Sequence, residues 1–171
     1  MRKPGWASLA LALCGFLGGC ASEPAARHNA KVYRMGEPVQ TGPLVYTVLD
    51  TEWLDQLGDP ASPRLPQNHF LSVRISVTNA GSTTSGIPPM TIIDSHGTAY
   101  PELEDAKGLP EWLGYIRTVK EAETLHGRVL FDAPTGPYRL KVADDADREN
   151  QTSATVDMPL QLTNPQGSTG L

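Results

Sequence analysis

The segment from Phe70 to Thr78 constrains the fold of this chain more than any other feature of its sequence. Apolar and polar residues alternate strictly within it. The apolar set is Leu71, Val73, Ile75 and Val77, and the polar set is Ser72, Arg74, Ser76 and Thr78. A period of two places each set on one face of a β-strand. We therefore expect a strand with one buried face and one exposed face.

Other segments also have the composition of strands, and turn-forming residues separate them. They are residues 44–49, 90–94, 125–131, 138–142 and 155–162. Pro159 predicts an edge position or a bulge for the last of these, because proline cannot donate a backbone hydrogen bond. Helical character is limited to short turns within 109–116 and 118–124. About seven strands without a long helix predict an all-β fold, an antiparallel β-sandwich. Its expected core includes Val73, Ile75, Val77, Val129, Phe131, Leu140 and Val142.

The N-terminal residues have the pattern of a targeting signal. Arg2 and Lys3 precede an apolar stretch, residues 6–17, that is too short for a membrane-spanning helix of about 20 residues. The stretch ends in Leu-Gly-Gly-Cys20, which resembles the lipobox of bacterial lipoproteins. That resemblance implies that Cys20 receives a diacylglycerol and becomes the new N-terminus. The alternative is an ordinary secretory signal cleaved after a small residue such as Ala21.

The lipobox interpretation divides the chain into four parts. We expect a signal peptide over residues 1–19, the lipidated Cys20 with a short flexible tether over 20–31, a sandwich over 32–163 and a disordered tail over 164–171. The membrane would then be a partner through the lipid on Cys20. Ala21, rather than Asp, follows the cysteine. By resemblance to the sorting rule of diderm bacteria, this favours the outer membrane, facing the periplasm.

The ordered set of strand and turn motifs resembles the bacterial family called domain of unknown function 4352. The matching pieces are Gly36-Glu37-Pro38-Val39 with Tyr46-Thr47-Val48, Phe70–Val77 with Asn79, Asp94-Ser95-His96-Gly97 with Tyr100, and Leu130-Phe131-Asp132-Ala133-Pro134. The resemblance implies an immunoglobulin-like (telokin-like) sandwich found in lipoproteins and secreted proteins. The chain departs from the family at residues 119–123, where the family has a Pro-Gly turn.

Charge and motif patterns exclude several functions. The formal net charge is −5, with 14 basic and 19 acidic residues, so we expect no nucleic-acid partner. The acidic run 144–150 imitates the start of a calcium-binding EF-hand loop. However, Asn150 stands where the loop needs glycine, and Val156 stands where it needs glutamate. We expect a solvated hairpin there instead.

Residue types that serve metal sites or catalysis are scattered along the chain. The histidines are His28, His69, His96 and His126, and the methionines considered as copper ligands are Met35, Met90 and Met158. We expect surface histidines and core methionines, because a metal site needs three or four converging ligands. There is no Gly-x-Ser-x-Gly motif. We expect no metal, no cofactor, no catalytic residue and no enzymatic activity.

The loop over residues 109–116 is the candidate binding site. Trp112 and Tyr115 are residue types that anchor interfaces, and Glu111 lies beside them. Acidic flanking residues, Glu102, Glu104 and Asp105, would favour a cationic partner surface. The alternative is that Trp112 and Ile116, four residues apart, close one end of the core as a short helical turn.

Two classes of function remain. The first is a non-catalytic, lipid-anchored module of the cell envelope that binds a protein or cell-wall partner. The second is a periplasmic lipoprotein that binds a small ligand or a metal. A ligand binder requires a concave pocket with converging polar groups, whereas an interaction module exposes a flat or convex apolar patch.

Overall fold

A computed structural model describes residues 31–146 and 149–160, and within them the chain forms eleven β-strands. The strands are β1 (Val32–Arg34), β2 (Val39–Thr41), β3 (Leu44–Leu54), β4 (His69–Asn79), β5 (Ser85–Gly86), β6 (Thr91–Ile93), β7 (Ala99–Pro101), β8 (Thr118–Val119), β9 (Thr124–Ala133), β10 (Tyr138–Ala143) and β11 (Ser153–Met158).

Two main sheets pack face to face. One has the order β1-β11-β10-β6-β7 and the other β2-β3-β4-β9, while β5 and β8 form a separate pair. The predicted β-sandwich is confirmed. The strand count exceeds the predicted seven, because β1, β2, β5, β7 and β8 contain only two or three residues. Such short strands show no alternation in the sequence.

The core lies between the two main sheets. All seven residues that the alternation placed there are buried. In the antiparallel pair of β4 and β9, Val73 lies opposite Val129. The buried Tyr46 of β3 donates a hydrogen bond from its hydroxyl to the Ala143 carbonyl oxygen of β10, at 2.8 Å. This bond joins the two sheets.

Strand β3 extends beyond the predicted segment 44–49, past a bulge at Leu49. Val48 pairs with Ile75 and Asp50 pairs with Arg74, which leaves Leu49 without a partner. The Leu49 residue is 40% exposed. The extra residue interrupts the period of two, so the alternation seen in the first half of the strand does not continue into the second.

A second apolar cluster covers the outer face of β4 and β9. It contains Leu57, Phe70, Ala106, Leu109 and Leu130, with Leu54, Leu103 and Trp112 packed against it. The loops after β3 and β7 carry most of these residues. The outer face of β4 was predicted to be polar and exposed, and this is wrong at Ser72, which is fully buried.

Of two further expectations about the C-terminal strands, one is wrong and the other is wrong only at Asp144. Strand β11 lies between β1 and β10, so it is not an edge strand, and it ends at Met158, directly before Pro159. The expected hairpin joins β10 and β11, and Asp145, Glu149 and Asn150 in it are exposed, but Asp144 is buried and accepts hydrogen bonds from the hydroxyl and the amide of Thr152. The Asp144 carboxylate therefore holds the hairpin together.

The predicted signal peptide, Cys20, nearly all of the tether and the C-terminal tail lie outside the described residues, as does Asp147. The predicted sandwich boundaries, 32 and 163, enclose every described strand. Among residues 31–146 and 149–160, no helix has the length and apolarity to cross a membrane.

Candidate interaction surface

The predicted binding loop lies along the outer edge of β9. The Arg128 amide donates to the Glu111 carbonyl oxygen at 2.8 Å, and the Leu113 amide donates to the Arg128 carbonyl oxygen at 3.0 Å. Backbone groups on the edge of a sheet attract other strands unless they are covered. The loop therefore protects this edge, and β9 in turn holds the loop in one conformation.

The loop does not form the short helical turn that would bury Ile116. Glu111 has a φ of 56° and Gly114 a φ of 78°, both in the left-handed region that an α-helix excludes. Ile116 is 95% exposed. The part of the alternative that places Ile116 in the core is therefore wrong.

Trp112 lies on the inner side of the loop. Its residue is half-buried and packs against the second apolar cluster, which includes Phe70 and Leu130. The indole Nε1 is buried without a hydrogen-bond partner. Most of the Trp112 side chain thus serves packing, as the core alternative expected, while Tyr115 is half-buried nearer the end of the loop.

A buried ion pair follows the loop. The Arg117 guanidinium binds both carboxylate oxygens of Glu102, at 2.5 and 2.8 Å, and also donates to the Gly114 carbonyl oxygen at 2.7 Å. Glu102 accepts a further bond from the Met90 amide at 2.9 Å. The expectation that Glu102 presents negative charge to a partner is wrong, because its side chain is fully buried and paired.

Charged residues line a cleft beside the second apolar cluster. This cleft, of about 400 Å³, opens between the loop after β3 and the loop after β7. Its charged lining residues are Asp59, Arg64, Asp105 and Lys107. The Arg64 guanidinium donates to the Asp105 carbonyl oxygen at 2.6 Å. Glu104 and Glu111, in the connection between β7 and β8, are exposed. No signal in the sequence placed Asp59 and Arg64 next to the predicted loop, because they lie more than 40 residues earlier.

A second, apolar depression lies where the binding loop ends. We name it the Ile116 groove; its volume is about 420 Å³. Its lining residues are Gly86, Ile87, Pro88, Pro89, Tyr115, Ile116, Arg117, Thr118, Asp145, Ala146 and Gln151. The Asp145 carboxylate accepts a hydrogen bond from the Gly86 amide at 2.7 Å.

The residues considered as metal ligands do not converge where the structure describes them. His69, His96 and His126 are exposed, and His28 lies outside the described residues. Within the described part of the chain, no three His, Cys, Asp or Glu side chains are grouped so that they could hold a metal ion. Met90 and Met158 are buried in the main core.

Comparison with known proteins agrees with the fold. The family model described as Domain of unknown function (DUF4352) matches residues 33–152. The chain belongs to this family. No curated protein matches it.

Several solved structures share the fold at low sequence identity. YjhA of Bacillus subtilis is 13% identical, with a TM-score of 0.56 over 74% of this chain and 99% of that chain. YcdA of Bacillus subtilis, a candidate lipoprotein, is 15% identical, with a TM-score of 0.53 over 71% of this chain and 38% of that one. MPT63, a secreted protein from Mycobacterium tuberculosis, is 15% identical, with a TM-score of 0.50 over 77% and 98%.

Proposed function

We propose that this protein is a non-catalytic, lipid-anchored module of the cell envelope that binds a protein or cell-wall partner. The lipid on Cys20 is the anchor. In a diderm bacterium the anchored protein faces the periplasm from the outer membrane. The partner presents a cationic surface to the loop that carries Glu111, Trp112 and Tyr115.

The fixed conformation of this loop is the observation that carries the proposal. Backbone hydrogen bonds to Arg128 hold residues 111 and 113 against β9, and Trp112 is packed beneath them. A rigid loop loses little conformational entropy when a partner binds. The loop therefore presents the exposed Glu111 carboxylate at a defined position beside β9.

Charge around the loop supports a cationic partner. Two acidic residues, Asp59 and Asp105, and two basic residues, Arg64 and Lys107, line the cleft. The connection between β7 and β8 adds two exposed acidic residues, Glu104 and Glu111. Exposed charges attract an oppositely charged surface over about 8–10 Å at physiological salt. Association should therefore weaken as salt concentration rises.

Buried ionisable side chains support a non-catalytic role. Glu102 and Arg117 pair within the sandwich and also bond to backbone groups, while the buried Arg117 Nε has no hydrogen-bond partner. The Asp144 carboxylate is held by Thr152. Each of these groups is bound by the fold itself, which is the pattern of structural rather than reactive residues.

The lipobox resemblance supports the anchor. Cys20 lies eleven residues before Lys31, which directly precedes β1, so the sandwich begins where the expected tether ends. The fold is shared with the candidate lipoprotein ycdA and with the secreted MPT63, which supports an envelope or extracellular location.

Cell fractionation tests the anchor. The wild-type protein and the Cys20→Ser variant are expressed from the native signal sequence and separated into membrane and soluble fractions. We expect the wild type in the membrane fraction and the variant in the soluble one. Equal partitioning of the two proteins would contradict the anchor.

Capture from detergent-solubilised membranes, together with sedimentation on purified peptidoglycan, tests the binding surface. Glu111→Lys reverses one charge without requiring a new backbone conformation. Glu121→Lys, at another exposed glutamate, is the control. A genuine partner should bind the wild type and the control, be lost with Glu111→Lys, and be released by salt. If no bound species distinguishes the two variants, this surface is not the binding site.

A further inference from the structure

The Ile116 groove lies at the end of the sandwich from which the N-terminal tether departs. Strand β1 runs parallel to β11, with Val32 opposite Thr155. The chain before Val32 therefore points in the same direction as the chain before Thr155. Gln151, which lines the groove, lies four residues before Thr155, or about 13 Å along an extended chain.

Two exposed large apolar residues lie at this end, and one of them, Ile116, is the most exposed of the five within the described residues. Ile116 is 95% exposed and Val32 is 43% exposed. Tyr115, Pro88 and Pro89 continue the apolar surface along the groove. Tyrosine and aliphatic side chains together suit the boundary between lipid headgroups and acyl chains, because the ring is apolar while the hydroxyl can stay in contact with water.

Both charged groups in the groove have partners within the protein, although Asp145 remains exposed. The Arg117 guanidinium is held by Glu102, and the Asp145 carboxylate accepts the Gly86 amide. An apolar contact with lipid therefore depends little on salt, unlike the contact proposed for Glu111. The two proposed contacts can therefore be distinguished by their dependence on salt concentration.

The length of chain before β1 limits how far the groove can lie from the anchor. Eleven residue steps join Cys20 to Lys31, and they span at most about 40 Å when fully extended.

We propose that the Ile116 groove contacts the surface of the membrane that holds the lipid anchor, with Ile116 inserted among the headgroups. Tyr115, at the end of the binding loop, then faces the membrane, and the Glu111 surface is left to face the partner. This inference rests on the lipid anchor of the proposed function.

Fluorescence of a labelled cysteine tests this contact. The chain has two cysteines, and processing at Cys20 removes Cys14 and acylates Cys20, so an added cysteine is the single free thiol. Ile116→Cys and Pro89→Cys place an environment-sensitive dye in the groove. Leu65→Cys is the matched control, since Leu65 is apolar, 68% exposed and located near the opposite end of the sandwich, before β4. Thermal melts confirm that each variant is folded.

The lipidated, full mature protein is reconstituted in vesicles of phosphatidylcholine alone. We expect a blue shift of the dye emission and quenching by lipid-borne nitroxides at positions 116 and 89, at low and high salt, with neither effect at position 65. Equal emission at all three positions would overturn the inference, as would a shift at 116 that requires an added envelope protein instead of lipid.

Flotation of the same vesicles separates the two proposals. If the wild type and Cys20→Ser float equally poorly, the anchor fails and the membrane contact fails with it. If the wild type floats and the dye at 116 remains in water, only the membrane contact is wrong.

Discussion

The Cα of Gly127 faces the carbonyl oxygen of Glu111 so closely that a Cβ added to Gly127 would lie 2.6 Å from that oxygen. It would also lie 2.7 Å from the Cδ2 of Leu113. The binding loop can approach β9 only because residue 127 has no side chain. A glycine within a long strand, whose role no local sequence pattern indicates, thus positions the candidate site.

Gly127→Ala should therefore loosen the loop. We expect a loss of about 1–3 kcal/mol in the free energy of unfolding, the usual cost of overpacking, and faster amide exchange at Leu113 and Arg128. Gly136→Ala is the control, since the nearest atom to its added Cβ lies 4.0 Å away. Chemical denaturation and hydrogen exchange measure both effects. Equal behaviour of the two variants would show that the loop is not held by this contact.

Trp112→Ala should destabilise the protein, because the indole packs against the second apolar cluster. Full truncation of a buried tryptophan costs about 3–5 kcal/mol, and for this half-buried residue we expect about 2–4 kcal/mol. Ile116→Ala, at a nearly fully exposed position, should change stability by less than about 0.5 kcal/mol. A melting temperature unchanged by Trp112→Ala would mean that the side chain is free to bind a partner directly.

The sequence predicted the main core well and the second cluster poorly. Leu71 and Phe131 continue the alternation of their strands and lie opposite each other between the sheets. Phe70 and Leu130, their immediate neighbours, belong to the other face, which period-two reasoning assigned to solvent. Two adjacent apolar residues in a strand indicate that both faces are covered at that point. The loops that supply this cover come from distant segments, and no local pattern predicts where they pack.

The candidate site was predicted only in part, for the same reason. The loop and its exposed Glu111 follow from local composition. The role of Glu102 does not, because its partner Arg117 lies 15 residues away across the connection between β7 and β8. Sequence spacing cannot show that two charges will be buried together.

Phe131→Ala tests the register of the central strands. The side chain is fully buried in the main core, so its truncation should cost about 3–5 kcal/mol. Arg74→Ala removes an exposed side chain that pairs with Asp50 on the outer face of the same sheet, and it should cost far less. Urea denaturation compares the two variants. Similar losses would mean that the faces of β4 and β9 are misassigned.

Ala122→Gly should stabilise the protein. Ala122 occupies the turn before β9 with a φ of 56°, and the Glu123 amide donates to the Lys120 carbonyl oxygen across this turn at 3.1 Å. The left-handed conformation costs a non-glycine residue about 1–2 kcal/mol, and glycine avoids this cost. The greater freedom of glycine in the unfolded chain offsets part of the gain. We expect a net gain of about 0.5–1 kcal/mol. The same change at Ala99, in strand β7, should destabilise instead. A loss of stability in Ala122→Gly would show that the backbone of Ala122 is not strained.

The acid sensitivity of the sandwich should depend on Asp144. Burial acts to raise the pKa of this carboxyl, but hydrogen bonds from the Thr152 hydroxyl and from the Ala146 and Thr152 amides together hold the pKa below its ordinary value. The folded state therefore favours the carboxylate. Its stabilising contribution is complete above the unfolded-state pKa of about 3.9 and is lost as the pH falls through the lower folded-state pKa.

Urea denaturation between neutral pH and about pH 3, around the ordinary carboxyl pKa, should reveal this contribution. We expect the wild type to be more stable than Asp144→Asn by a constant amount above about pH 5, and this difference to shrink as the pH falls below about 4. Thr152→Val keeps the carboxylate but removes its hydroxyl donor, which lies 2.5 Å from the Asp144 oxygen, so it should reduce the same acid-dependent loss. If the advantage of the wild type over Asp144→Asn grew on acidification, folding would raise the pKa of Asp144 instead of lowering it. Only a carboxyl whose pKa is raised by folding stabilises the protein more as it becomes protonated.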